Sequence, residues 1–307
     1  MLLFDAHCHM QDKQYKDRLP GVIGKAQAAG VERMMCCGCE ENDWEAVRKI
    51  ALEYKMVLPS FGLYPLNIPK RSKQWLQQLK SYLLSIPSGV GEIGLDNYVE
   101  TCNNVEQEEV FVAQLRLARE LERPVTIHCR KAWGKLLEIL KRENGVKYGG
   151  IVHTYSGSPE LVRPLEEMGL NISFSGAITR DGNKRGCKSL QVVSKERLLL
   201  ETDSPDIMPV GAEGMCNEPA NLPLVARAAA LLLGESVETV AELTCRNAER
   251  LFRSIVIPDL IGNPEKSETG FPLPAFAKPS LRWAKEGRGN DREDKESYKN
   301  DGPFQQN

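Results

Sequence analysis

Eight short apolar runs punctuate the first 254 residues: Leu2 to Phe4, Arg33 to Cys37, Met56 to Phe61, Gly89 to Ile93, Val125 to Cys129, Gly150 to Thr154, Asn171 to Phe174 and Leu198 to Thr202. Each is too short for an average helix and reads as a buried strand. The segments between them carry helical spacing instead. Phe111, Leu115, Ala118 and Leu121 share one helical face, as do Trp133, Leu137 and Leu140. Asn42 with Glu45 reads as a capping box, and Ser158-Pro159 as a helix start. Successive strand starts lie 21 to 36 residues apart, the length of one βα unit. Eight such units predict a (β/α)8 TIM barrel, with Ser236 to Phe252 as an extra C-terminal helix. In such a barrel the chemistry belongs at the C-terminal ends of the strands.

Composition changes near Ser254. The 53 residues from Ile255 to Asn307 contain 6 Pro and 5 Gly, and Arg282 to Asp301 carries 12 charges in 20 residues. That stretch offers too little apolar surface to offset its ordering entropy, so 1–254 is expected to be the barrel and 255–307 a disordered tail. Lys plus Arg total 40 against 42 Asp plus Glu, which excludes a global basic field; any contact with nucleic acid is local. The longest uncharged stretch, Met56 to Pro69, is 14 residues and includes three prolines, too short to cross a bilayer. Met1 to Asp5 shows no basic-then-apolar leader, and nine cysteines read as reduced thiols, so the expected compartment is the cytoplasm, with no membrane association. Cys36 to Cys39 has C-x-x-C spacing inside an apolar run, and is expected to supply small core residues rather than a metal or redox site.

Candidate chemistry gathers at the strand ends. The chain has four histidines, His7, His9, His128 and His153, and all four close a predicted strand. His7 and His9 stand two apart, so their rings share a face while Cys8 takes the other, a geometry suited to chelating one ion. Glu92, in Gly91-Glu92-Ile93-Gly94-Leu95-Asp96, and Asp203, in Glu201-Thr202-Asp203-Ser204-Pro205, follow the fourth and eighth strands. Four imidazoles and two carboxylates exceed what one tetrahedral ion with an open position needs, so a two-metal site with Glu92 as bridge is the economical reading. The donor set fits Zn2+, Mn2+ or Mg2+, with the histidines leaning away from an all-oxygen Mg2+ site. Arg130 and Lys131 follow His128, where a guanidinium either holds a phosphate or is a plain surface charge. Tyr155-Ser156-Gly157-Ser158 enters a helix start, a weak signal for anion binding.

These stretches, together with Phe4-Asp5-Ala6-His7-Cys8-His9, Pro124 to Arg130, His153 to Ser158 and Asn217-Glu218-Pro219, resemble the TatD family of metal-dependent hydrolases in the amidohydrolase superfamily. The resemblance spans 1–254 in the family's order. It implies that His7, His9, Glu92 and Asp203 hold one divalent ion and that Glu92, His128 and His153 hold a second. It also implies deoxyribonuclease or phosphodiesterase activity of the 3′-5′ exonuclease type. One departure stands out: where the family commonly has Gly-x-His-Pro, this chain has Gly62-Leu63-Tyr64-Pro65, which places Tyr64 as a candidate substrate contact.

The expected reaction is hydrolysis of a phosphodiester by a metal-activated water, with Glu92 and Asp203 as catalytic carboxylates, Asp203 as proton acceptor and Arg130 balancing charge. The expected substrate is DNA, single-stranded or at ends, with no obligate protein partner. Two rivals remain open: an amide, ester or lactone hydrolase on the same scaffold, and a barrel retained only for binding.

Overall fold

The computed structural model describes residues 1–98 and 103–255; the tail expected from composition lies, beyond Ile255, outside the described residues. Eight parallel strands, hydrogen-bonded in chain order, form one sheet: β1 (Leu3–Cys8), β2 (Val31–Cys37), β3 (Val57–Phe61), β4 (Gly89–Asp96), β5 (Val125–Arg130), β6 (Gly150–Val152), β7 (Leu170–Phe174) and β8 (Leu198–Leu200). The sheet curls until its first strand meets the segment after its last. Asp203 N donates to His7 O at 3.0 Å and His9 N to Ser204 O at 2.8 Å, while Asp5 accepts from the backbone and hydroxyl of Thr202. The predicted TIM barrel is therefore present, with helices following each strand.

Two apolar layers hold it. Phe4, Ala6, Met35, Cys37, Leu58, Ile151 and Leu199 fill the barrel interior at its N-terminal end. That end is stoppered by helix α9 (Val237–Phe252), the predicted extra helix, through Ala248, Phe252 and the following Ile255. Phe252 stacks on Phe4 with ring centroids 5.6 Å apart. The outer layer packs the helices on the strands. In helix α5 (Trp133–Arg142) the fully buried positions are Leu136, Ile139 and Leu140, with Trp133 and Leu137 on the flank, so the buried stripe is rotated from the expected one.

Two further local expectations are corrected. The Asn42–Glu45 capping box does not form: helix α2 (Trp44–Glu53) starts after Asp43, and Glu45 instead pairs with Arg48 at 2.8 Å. Asp43 is itself engaged by Cys39 N at 2.8 Å, which ties the β2–α2 loop down. Glu92 also does not follow β4 but lies inside it, because that strand runs on to Asp96.

Strand irregularities bear directly on the site. Simple alternation from Phe4 and Ala6 would send Cys8 inward, but the β1–β2 register shifts between Asp5 and Cys8. A second shift, in β4–β5 between Val90 and Ile93, brackets Glu92. Bulges of this kind re-aim side chains. Here they turn His7, His9 and Glu92 toward the C-terminal mouth.

Candidate metal centre

All six predicted donors meet at that mouth. His7 Nε2 lies 3.1 Å from His9 Nε2, 3.6 Å from Glu92 Oε2 and 3.4 Å from Asp203 Oδ1. His9 Nε2 is 3.5 Å from the same Glu92 oxygen and 3.6 Å from the same Asp203 oxygen. Four donors around one ion at ~2.1 Å in a tetrahedron have edges of ~3.4 Å, so this spacing fits a single divalent ion. On the other side, Glu92 Oε1 lies 2.9 Å from His153 Nε2 and 3.1 Å from His128 Nδ1, and those two nitrogens are 3.2 Å apart. Three donors so placed form one face of a coordination shell and leave its other positions free. Glu92 thus presents one oxygen to each set, and among the described residues three overlapping groups could hold a metal ion: His7, His9 and Glu92; Glu92, His128 and His153; and His7, His153 and Asp203.

Electrostatics point the same way. Glu92 and His7 are buried, and two carboxylates enclosed with four imidazoles demand compensating positive charge, as ring protons or as a cation. Burial alone would raise the Glu92 carboxyl; the His153 ring and hydrogen bonds from His128, His153 and His7 hold it well below the carboxylate range. Burial likewise opposes charge on His9, but its hydrogen bond to Asp203 and the nearby Glu92 lift it to about 9. His7 goes the other way, lowered by burial and by His153.

A second set of groups fixes the rings from behind. His128 Nε2 meets Asp96 Oδ2 at 3.0 Å, and the Tyr64 hydroxyl donates to that same oxygen at 3.2 Å. His153 Nδ1 stands 3.5 Å from Glu201 Oε1 without a hydrogen bond between them; that oxygen accepts from Thr154 N at 2.6 Å. His9 Nδ1 meets Cys37 O at 2.8 Å. Such partners set ring orientation and tautomer, leaving the opposite nitrogen for a metal. Strain concentrates here too: Thr154 (φ 39°), Asp203 (φ 54°) and Ile207 (φ 45°), none of them glycine, hold left-handed backbone conformations at the cavity, and such strain marks functional sites.

The TatD related DNase family matches residues 4–253. The chain belongs to that family. Among TatD relatives, the uncharacterized metal-dependent hydrolase YabD of Bacillus subtilis is 32% identical over 255 residues, covering 82% of this chain and 99% of YabD. The 3′-5′ ssDNA/RNA exonuclease TatD of a Rahnella strain is 31% identical over 264 residues, covering 81% and 98%. The crystal structure of YJJV, a TatD homologue from Escherichia coli, superposes with a TM-score of 0.78 at 29% identity, covering 82% of this chain and 98% of that one.

Around this donor set opens a cavity of about 890 Å³. Arg130 and Tyr64, the two predicted substrate residues, both border it. Their contacts are more specific than expected: Tyr64 turns its hydroxyl to Asp96, and the Arg130 guanidinium lies over the ring of Tyr98, 3.5 Å from its centroid. Of the Tyr155-to-Ser158 run only Ser156 borders the cavity, and the helix it enters opens as a single 3-10 turn, Pro159–Leu161.

Several residues at the site escaped sequence reasoning. Cys36 and Cys37 are core, as expected, but Cys39 borders the cavity with its thiol 3.6 Å from Glu92 Oε2 and is not a core residue. Asp96 and Glu201 sat in the quoted motifs without a role. Lys13 and Arg180 supply rim cations from distant loops, with no local signal to mark them. Asn217, from the Asn217-Glu218-Pro219 motif, donates to Thr202 O at 2.9 Å and Asp206 O at 2.8 Å, bracing the loop that carries Asp203.

Proposed function

We propose that this TatD family protein is a divalent-metal-dependent phosphodiesterase that removes nucleotides from single-stranded DNA ends in the 3′-5′ direction. The observation that carries the reading is the division of Glu92 between two donor sets, one oxygen to each. His7, His9, Glu92 and Asp203 would hold one ion, and Glu92, His128 and His153 the other; Zn2+, Mn2+ and Mg2+ all suit this mixture of nitrogen and oxygen donors. A cation bound there supplies Lewis acidity toward a phosphoryl oxygen and lowers the pKa of water.

The chain's own groups do the rest. Asp203 keeps Oδ1 toward the His7–His9 pair and Oδ2 within 3.1 Å of the Thr154 hydroxyl, so its carboxylate is oriented to take a proton from the attacking water. Burial would raise that carboxyl, but the His9 hydrogen bond and the fields of His153 and His7 keep it low, hence ionised at neutral pH. Arg130 places positive charge at the mouth, two residues along β5 from His128. The name of the Rahnella relative supports a single-stranded polymer and a 3′-5′ polarity.

The test is hydrolysis of a small phosphodiester and of a 3′-labelled or 5′-labelled single-stranded oligonucleotide. Activity is expected to vanish with EDTA and return with Mg2+, Mn2+ or Zn2+. Turnover of amides or lactones by metal-loaded protein that leaves every phosphodiester intact would overturn the reading.

A further inference from the structure

We propose that Tyr98 and Arg130 form a stacking platform for a nucleobase adjoining the scissile phosphodiester of a single-stranded substrate. The proposal rests on the phosphodiesterase reading and adds a subsite to it. On β5, His128 and Arg130 stand two residues apart, so both side chains leave the same face of the strand, with Arg130 ~6.6 Å farther toward solvent. Arg130 lies opposite Asp96 in the β4–β5 register, and Asn97 N donates to Arg130 O at 2.9 Å. Tyr98 N in turn donates to Asp96 Oδ1 at 2.8 Å. The carboxylate that grips His128 therefore also fixes the backbone of Tyr98, so the platform is registered to the metal donors.

The side chains are arranged for contact with a flat partner. The Arg130 guanidinium carbon lies 3.5 Å from the Tyr98 ring centroid, and the Lys131 ammonium lies 4.5 Å from it. Tyr98 nevertheless remains 51% exposed. A delocalised, weakly hydrated guanidinium held on an aromatic ring presents a planar, electropositive surface. Bases stack on both aromatic rings and guanidinium planes, and every base has a π face, so the platform takes any sequence. It takes no interior base pair, whose faces are already covered in a duplex. With a phosphate at the His128 donor set, the distance along β5 is comparable to the reach from a phosphate to its own base. This assigns Arg130 to stacking through its plane, alongside its charge.

The measurement is the affinity of the full chain, loaded with Mn2+, for two fluorescent phosphorothioate decamers of thymidine, one with all its bases and one with abasic sugars at the three 3′-terminal positions. Anisotropy should show the first binding about 5- to 100-fold more tightly. Tyr98→Ala should erase that difference, and Tyr98→Phe, which keeps the ring, should retain it. Equal affinity of the wild type for both decamers, or a difference that survives Tyr98→Ala, would overturn the platform. Failure of the phosphodiesterase reading registers separately, as intact ordinary phosphodiester decamers of either kind after incubation with the metal-loaded wild type.

Discussion

Asp96 Oδ2 lies 3.0 Å from Nε2 of His128, and that contact accounts for where Tyr64 directs its hydroxyl. Asp96 is fully buried, so His128 is clamped from behind with Nδ1 left facing Glu92 and His153. Replacing the carboxylate by an amide in Asp96→Asn should weaken metal binding at the His128–His153 set about 10- to 100-fold. Tyr64→Phe removes one hydrogen bond to that carboxylate, of a kind worth about 1.5–3 kcal/mol, but leaves the Asp96–His128 contact in place and should weaken the same set less than Asp96→Asn does. Calorimetric titration with Zn2+ resolves both effects. Unchanged affinity in Asp96→Asn would show that His128 needs no such support.

Glu92 is the one residue common to both donor sets, with Oε2 on the His7–His9 side and Oε1 on the His128–His153 side. Glu92→Gln should therefore cost more bound metal than either His7→Ala or His128→Ala. His128→Ala is expected to lose one ion and most activity while keeping its circular dichroism spectrum, because the interior cluster contains no ligand. Metal content after desalting decides the matter. Two tightly held ions in Glu92→Gln would remove its bridging role.

The donor set was legible because histidine is rare in this chain, and each of the four falls at or near a strand terminus. The shell behind it was not. Asp96 and Glu201 are ordinary acids beside more conspicuous ones, and only the pairing of β4 with β5 and the meeting of the segments that follow β6 and β8 reveal what they touch. Gly94 explains part of that approach: with φ at +142°, a Cβ there would sit 2.0 Å from His128 O, so only glycine permits the pairing. The period-2 rule placed His7 and His9 on one face correctly, but it could not foresee that a register shift turns that face inward, where strict alternation from Phe4 and Ala6 would have put Cys8. The capping box failed for a similar reason, since Arg48 outcompetes the helix N-terminus for Glu45. Cys39 looked like its neighbours Cys36 and Cys37 because burial differs over three residues that composition cannot distinguish.

Phe252 and Phe4 stack at the end of the barrel remote from the donors. Both are buried in the interior cluster, so Phe252→Ala should destabilise the fold by about 3–5 kcal/mol through lost burial and a residual cavity. Metal stoichiometry of the folded fraction should stay that of the wild type. Chemical denaturation followed by metal analysis tests both halves. A loss below about 1 kcal/mol would mean that α9 contributes little to closing the barrel.

The rim sets the salt dependence. Lys13, Arg130 and Arg180 border the cavity, but so do Asp12, Glu40, Asp43 and Asp206, and the whole chain carries a formal charge of −2. A protein with few cations near its site neutralises few phosphates. For single strands each neutralised phosphate contributes about −0.7 to the slope of log affinity against log salt, so three rim cations give a slope of about −2. A protein that tracked duplex DNA through many backbone contacts would show a slope several times steeper. A small phosphodiester has no condensed counterions to release, and its turnover should be nearly flat over the same range. Measuring kcat/KM for a single-stranded oligonucleotide and for the small ester between 50 and 200 mM KCl separates the cases. A steep slope on duplex DNA with efficient internal cleavage would locate substrate contacts outside this rim and would contradict a preference for single-stranded ends.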